Sequence, residues 1–444
     1  MITTHHRKSE SGQAIVLLVF GMIVLMGMAG LAIDGGNLYA QKRRGQAAVD
    51  NAALAYALAL NQGDPSAGES SATAVLNSNG YFNGQDSVTI TMINPVPEYT
   101  NPNSYVEVIL TQTVPTAFIH LVYGGPAVYS ARATAHGQSS SAPMAGFAIV
   151  GMGNCVATGD SDLEVTGGGN SGGINVSGGD IFVNSPGSSA CAIDPPNNGT
   201  GITVDQSGCP DSPCYNIVSV GSYDYAGTAM MTNPVQTNYN GGTPITDPLA
   251  TVSEPTCTSA GAIVGGVYQP GSYGGSGELS MGWGEYASGI YCIEGGINPG
   301  GNGAITVKYT DGVPGGVVFY LESGGITMSG NQGMEIFAPT TSNCLGTYGQ
   351  TSASCTYVGM AIFSARGNTS TIEVSGNGGN AITGTIYALD GTIQARGGGS
   401  NPDETSVVGQ IIASRVLGNG NGSFLVDYED PVIFHLPPSI NLTR

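Results

Sequence analysis

The sequence predicts a mainly β protein in three parts: an N-terminal transmembrane and stem helix, a small α+β module built on it, and a parallel β-helix. Three observations carry this prediction. No charged residue stands between positions 11 and 33, where Ala, Ile, Val, Leu, Phe, Met and Gly dominate. Apolar and polar residues alternate through 87–93, 105–111 and 128–135, the signature of half-buried strands. Beyond residue 145, pairs of β-forming residues two apart recur between Gly and Asn turns.

Residues 1–11 read as a short cytoplasmic tail and 12–34 as a transmembrane helix. The apolar block 14–33 has 20 residues; at about 1.5 Å each it covers a hydrocarbon layer of about 30 Å. It exceeds the apolar region of a secretory signal, so a retained anchor is expected. The block breaks at Asp34-Gly35-Gly36, and a second helical pattern follows with small or apolar residues at 38, 45, 49, 52 and 56, one face of a helix. Residues 35–137 are this stem helix plus the small module: a polar break at 61–71, a short helix near 72–77, and three or four antiparallel strands. A Pro-rich turn separates the first two strands, and the apolar Phe118, Ile119 and Leu121 lie before the last.

The Ser-rich stretch 138–144 reads as a linker, and 145–444 as a Gly-rich β-helix domain. Its pairs include Leu163/Val165, Ile174/Val176, Ile305/Val307, Ile372/Val374, Ile411/Ala413 and Phe424/Val426. Short strands at such intervals suit coils that each bury two or three residues against their neighbours. A β-sandwich would favour longer strands and more hairpins. Residues 215–300, rich in Tyr, Pro and Gly, fit the coil pattern poorly and read as an irregular insertion or cap.

After position 44 only six basic residues face 29 acidic ones. Nucleic acid and anionic lipid are therefore poor partners for the large domain. All eight cysteines lie beyond the apolar block, with no C-x-x-C and no His in zinc-ligand spacing. An even count in such a chain reads as disulfides in an oxidising compartment, which puts the N-terminus inside and the large domain outside the cytoplasm. Stacked coils favour local pairs, so Cys344–Cys355, Cys209–Cys214, Cys155–Cys191 and Cys257–Cys292 are expected.

Catalytic chemistry finds little purchase. Asp160, Asp162 and Glu164 would share one strand face, and Asp403-Glu404 and Glu429-Asp430 are adjacent pairs. Glycoside hydrolysis needs two carboxylates in fixed apposition, and the expectation here is a solvated edge. Asp160, Asp162 and Glu164 are the nearest approach to a calcium site. His120, His136 and His435 are isolated, and the glycines match no nucleotide-binding motif. No cofactor and no enzymatic activity are expected.

Gly12-Gln13-Ala-Ile-Val, the apolar run, Gly30-Leu-Ala-Ile-Asp34, Leu38-Tyr39, Lys42-Arg43-Arg44 and Gln46-Ala-Ala-Val-Asp50 stand in an order that resembles the N-terminal region of Tad (tight adherence) pilus-assembly proteins of the TadG-like kind. Val114-Pro-Thr-Ala-Phe118 and Ser130-Ala-Arg-Ala-Thr-Ala135 are similar to the strands that close that module, and the likeness covers about residues 10–137. The resemblance implies a pilin-like module in a single-pass protein of the bacterial cell membrane. It further implies that the protein helps assemble or present an adhesive pilus, meeting pilus-assembly or other envelope proteins through its N-terminal helix. Surface glycans are a further partner class. Prepilin processing after Gly12 would require Glu where Leu17 stands, so no processing is expected. Asp205-Gln-Ser207-Gly-Cys209 lacks the last Ser of the metal-dependent adhesion site that some such proteins carry. A membrane-tethered β-helix lectin or polysaccharide-degrading enzyme is the alternative.

Overall fold

The computed structural model describes residues 11–61, 64–99, 102–118, 124–138, 142–155, 161–166, 173–186, 193–194, 201–205, 216–221, 235–238, 244–328, 332–341, 354–374, 380–397, 405–420, 423–436 and 439–443. It divides into two compact units, residues 1–140 with 437–444, and residues 141–436.

In the first unit, α1 (Ser11–Asn61) is one unbroken helix. The break expected at Asp34-Gly35-Gly36 does not occur. Glycine costs a helix about 1 kcal/mol, and Asp34 spends its carboxylate on a distant loop rather than on stopping the helix. The buried positions 30, 34, 45, 48, 49, 52, 53, 56 and 57 form one stripe. α2 (Ser66–Ser78) starts inside the expected polar break, five residues before that break was to end, with the Asp64 carboxylate accepting from Ala67 N at 3.1 Å.

Strands β1 (Val88–Ile93), β2 (Tyr105–Val114) and β3 (Ala127–Gln138) pair antiparallel in that order. Val106, Val108 and Leu110 alternate inward, with Tyr129, Ala131, Ala133 and Ala135 beside them, and pack on the alanine-rich stripe of α1. Ile119 and Leu121 lie outside the described residues. The sheet is completed by Ser439–Thr443, antiparallel to β3 with Leu442 opposite Ala135. The expected boundary at 444 is therefore corrected: the last strand belongs to the small unit, and the large unit is an insertion between two neighbouring strands of one sheet.

The second unit is three parallel stacks joined by corners, compatible with the expected parallel β-helix. One stack buries the column Ile217, Ile181, Ile149, Ile411, Ile386, Ile362, Phe319, Tyr291. Another buries Ile193, Leu163, Val416, Ile393, Ile372, Ile326, Ile297. The third buries Val204, Val176, Val426, Val407, Ile382, Ile336.

The coils do not follow sequence order. The coil of Phe147–Gly151 stacks on the last one, Thr405–Gly420, so the winding runs from about 267 to 427 and continues through 147 to 219. Entry and exit consequently meet: Tyr428 Oη accepts from Gly146 N at 2.8 Å, and Gln410 Nε2 donates to Met144 O and Phe147 O. That proximity is what lets a small sheet tolerate so large an insertion.

Segment 244–257 runs across the outside of the first stack. Asn184 exchanges two hydrogen bonds with Ile245, and Cys257 is disulfide-bonded to Cys292. These anchors lie six coils apart, about 29 Å at the usual strand spacing, within reach of an extended twelve-residue span. Between them Arg366 binds Asp247 Oδ2 at 2.9 Å and the carbonyls of Leu249 and Val252, while Tyr320 Oη donates to Glu254 at 2.8 Å. The strap covers a second apolar layer, Val150, Phe182, Val318, Tyr320, Phe363, Tyr387 and Ile412. With both sides buried, these strands read as continuous apolar runs rather than alternating ones.

Within the stretch 215–300, expected as an irregular insertion or cap, residues 267–293 form coils. Tyr268, Tyr273, Tyr286 and Tyr291 lie in the core of successive coils, Tyr268 stacked on Tyr286 at 4.6 Å. Tyr273, Tyr286 and Tyr291 each donate to the carbonyl four residues earlier, at 2.5, 2.6 and 2.6 Å, so their hydroxyls are satisfied inside. Burial raises the pKa of all three phenols, that of Tyr286 and Tyr291 well above the usual range.

Candidate functional site

Residues 15–33 of α1 are apolar and exposed on nearly every side, Gly30 excepted. The helix is long and apolar enough to cross a membrane. Where this stretch ends, the chain builds a clamp. Asp34, 5% exposed, accepts from Ala117 N at 3.1 Å and Phe118 N at 2.7 Å, supplying acceptors for two amides after β2. One turn earlier, a Cβ at Gly30 would lie 2.5 Å from the Phe118 side chain, so only glycine lets that residue approach. Gly45 repeats the device, because a Cβ there would stand 2.7 Å from the Tyr129 ring. Tyr129 Oη donates to Gln112 at 2.8 Å, and burial raises its pKa. Gln46 Nε2 reaches both Asp50 Oδ1, at 2.7 Å, and the Arg132 carbonyl, at 2.8 Å, tying the helix to β3.

The motif residues thus divide by task. Asp34, with Gly30, Gly45 and Gln46, fastens the sheet to α1, and Asp50 accepts from Gln46 within the helix. Tyr39, 64% exposed, and Lys42, Arg43 and Arg44 face outward. Gly12 and Gln13 lie in α1, their side chains outside the described residues.

Sequence reading missed the partners of these residues. Ala117, Phe118 and Arg132 sit 83 to 88 positions from the groups they meet, and the only local signal was glycine inside a helical pattern. It also missed the pair of Arg132 with the buried Glu107, and the stack of Tyr99 on Tyr105 at 3.8 Å. His136 tilts against Tyr105, and burial lowers its pKa.

Of the carboxylates singled out in the large unit, Asp162 and Glu164 do not form a solvated edge. Asp160 lies outside the described residues. Asp162 is 1% exposed and turned toward Ser185, whose N and Oγ donate to it at 2.9 and 2.5 Å. Burial pushes its pKa up to about 6 against these opposing hydrogen bonds. Glu164 pairs with Arg415. Among the described residues no group of three His, Cys, Asp or Glu could hold a metal ion. Asp403 and Glu404 fall outside them, and Glu429 and Asp430 are exposed.

Besides Cys257–Cys292, Cys155 is disulfide-bonded. Cys191, Cys209, Cys214 and Cys344 lie outside the described residues, as does the side chain of Cys355; no cysteine among those described is free.

Residues 12–59 match the family described as Putative Flp pilus-assembly TadE/G-like. The match covers α1 almost end to end and includes every clamp residue that α1 contributes. No curated protein and no solved structure matches the chain.

Proposed function

We propose that this chain is a non-enzymatic, membrane-anchored component of Tad-type pilus assembly or surface attachment. In this reading α1 crosses the bacterial cell membrane once with its N-terminus inside, and the large unit is extracytoplasmic. The observation that carries it is the TadE/G-like match, which falls on the helix whose far half is bare and apolar and whose near half is fastened to a sheet. A Gly30–Asp34 clamp at the end of the bare stretch gives such an anchor a rigid head, so that force or contact at the sheet is passed to the span. The disulfides and the scarcity of basic residues beyond position 44 support an oxidising, extracytoplasmic setting. Two of the carboxylates that the enzyme alternative singled out give it no support: Asp162 is buried against Ser185 and Glu164 is paired with Arg415.

Deletion of the gene in its native host, followed by counting surface pili and measuring attachment, tests the reading. Loss of both, restored by the full chain but not by one lacking residues 12–33, is expected. Normal pili and attachment after deletion would remove the proposed role.

A further inference from the structure

Ion pairs in this molecule are distributed unevenly. Arg132, Arg366 and Arg415 each meet a carboxylate. Lys42, Arg43 and Arg44, the densest run of positive charge in a chain of net charge −20, meet none among the described residues and are exposed. On the same helix Asp50 is bonded only to Gln46 among the described residues, and the exposed Glu98 beside it likewise has no cation. Asp50 and Glu98 line a groove of about 680 Å³ along the side of α1, walled also by Tyr99, Arg132 and Leu442. Arg132 is already paired with Glu107, so the groove carries uncompensated negative charge.

Spacing relates the two features. Positions 39, 43, 46 and 50 advance by three or four residues and so form one stripe along the helix, flanked by Lys42 and Arg44. The cations occupy its lower part and the acidic groove its upper part, Asp50 lying seven residues beyond Arg43. Seven residues are two turns, about 10 Å along the axis, too far for the two to meet within one helix. A second, parallel α1 displaced by that amount brings its cations level with the groove.

We propose that this groove is the docking surface for the Lys42–Arg44 cluster of a second copy of the chain, the two stem helices lying parallel with a stagger of about two turns. The pairing follows the logic of charged flanks in coiled coils, which set partner, direction and register more than raw affinity. The parallel direction rests on the membrane-anchored reading above; the charge match does not. Two copies seated at one depth in a bilayer have no stagger. The contact therefore belongs to a state in which one copy has been raised by about 10 Å relative to its neighbour.

The test uses the full chain in native membranes. Differently tagged copies carrying Arg43→Cys and Asp50→Cys are co-expressed and treated with a short bifunctional thiol reagent, with the unsubstituted chain as background. Cross-linking between 43 and 50 should exceed both 43–43 and 50–50 products by about tenfold. A dominant 43–43 product means no stagger and overturns the proposal, as does the absence of any product above background. Charge reversal provides the second measurement. Copurification of two tagged copies should fall at least about fivefold with Arg43→Glu in both or with Asp50→Arg in both. It should recover when a Lys42→Glu, Arg43→Glu, Arg44→Glu chain meets an Asp50→Arg, Glu98→Arg chain, in which the cluster has become acidic and the groove basic. Failure to recover overturns the proposal as well. Loss of pili with no 43–50 contact would leave the proposed function standing and remove the docking surface. The contact without any pilus defect would do the reverse.

Discussion

The two units bury apolar surface in opposite ways. The small one lays one face of an antiparallel sheet on one stripe of a helix, through close approaches at Gly30, Gly45 and a run of alanines. The large one stacks like on like, isoleucine above isoleucine in columns, and on one stack it buries the outer side as well beneath a strap. Each unit is therefore vulnerable at a different kind of position. In the small unit a side chain added at a contact does the damage; in the large one, a side chain removed from a column.

The largest effect is therefore expected in the columns. Ile362→Ala leaves a cavity between Ile386 and Phe319 and should destabilise the large unit by about 2–5 kcal/mol. The single tryptophan, Trp283, packs against this core and reports on the large unit alone. Its fluorescence midpoint should drop while amide exchange in the small unit stays unchanged. A simultaneous loss of protection in both units would dissolve the comparison, because they would then unfold as one.

Next comes a pH effect confined to the large unit. The folded pKa of Asp162, about 6, lies above its ordinary value near 4. Between those values the folded chain holds a proton that the unfolded chain releases, so stability falls as pH rises across that window. The contribution is fully present below about pH 4 and lost above about pH 6, a change of up to about 3 kcal/mol. Trp283 melts from pH 4 to 7 should show a steeper decline for the native chain than for Asp162→Asn. Equal slopes would mean that Asp162 does not titrate in this range.

The strap gives a smaller effect. Arg366→Ala removes the cation that faces Asp247 and Glu254 and the donors to two carbonyls, at a cost of about 1–3 kcal/mol given its partial exposure. Limited proteolysis within 244–257 should accelerate. Unchanged cleavage would show that the apolar layer and the Cys257–Cys292 bond hold the strap without it.

What was legible in the sequence follows the same division. The span, the stem helix and β1 to β3 could be read because each shows its period within ten or twenty residues, and Asp34 and Asp50 stood out with them. The clamp partners could not, since nothing local says that Phe118 meets Gly30. The coils were legible as pairs two apart, but not their order, because stacking Ile149 on Ile411 leaves no periodic trace. The tyrosines of 268–291 looked like loop residues. Their hydroxyls find carbonyls four residues back, which makes an aromatic core acceptable where aliphatic pairs were sought.

The smallest effect concerns the clamp. Asp34→Ala removes the acceptors of two backbone amides and leaves α1 able to continue as a helix, since alanine is the best helix former. Each lost hydrogen bond is worth about 0.5–1.5 kcal/mol, so the segment after β2 should loosen by about 1–2 kcal/mol without unfolding the sheet. Hydrogen exchange read by mass spectrometry on a peptide containing Ala117 and Phe118 should quicken about tenfold, the equivalent of 1.4 kcal/mol. Peptides from β3 should change little, because Gln46 and the buried alanines still hold that strand to α1. Asp34→Asn keeps one acceptor and should fall between the two. If exchange at 117 and 118 were the same in all three proteins, packing of Phe118 against Gly30 would suffice, and Gly30→Leu, not Asp34→Ala, would be the substitution that opens the clamp.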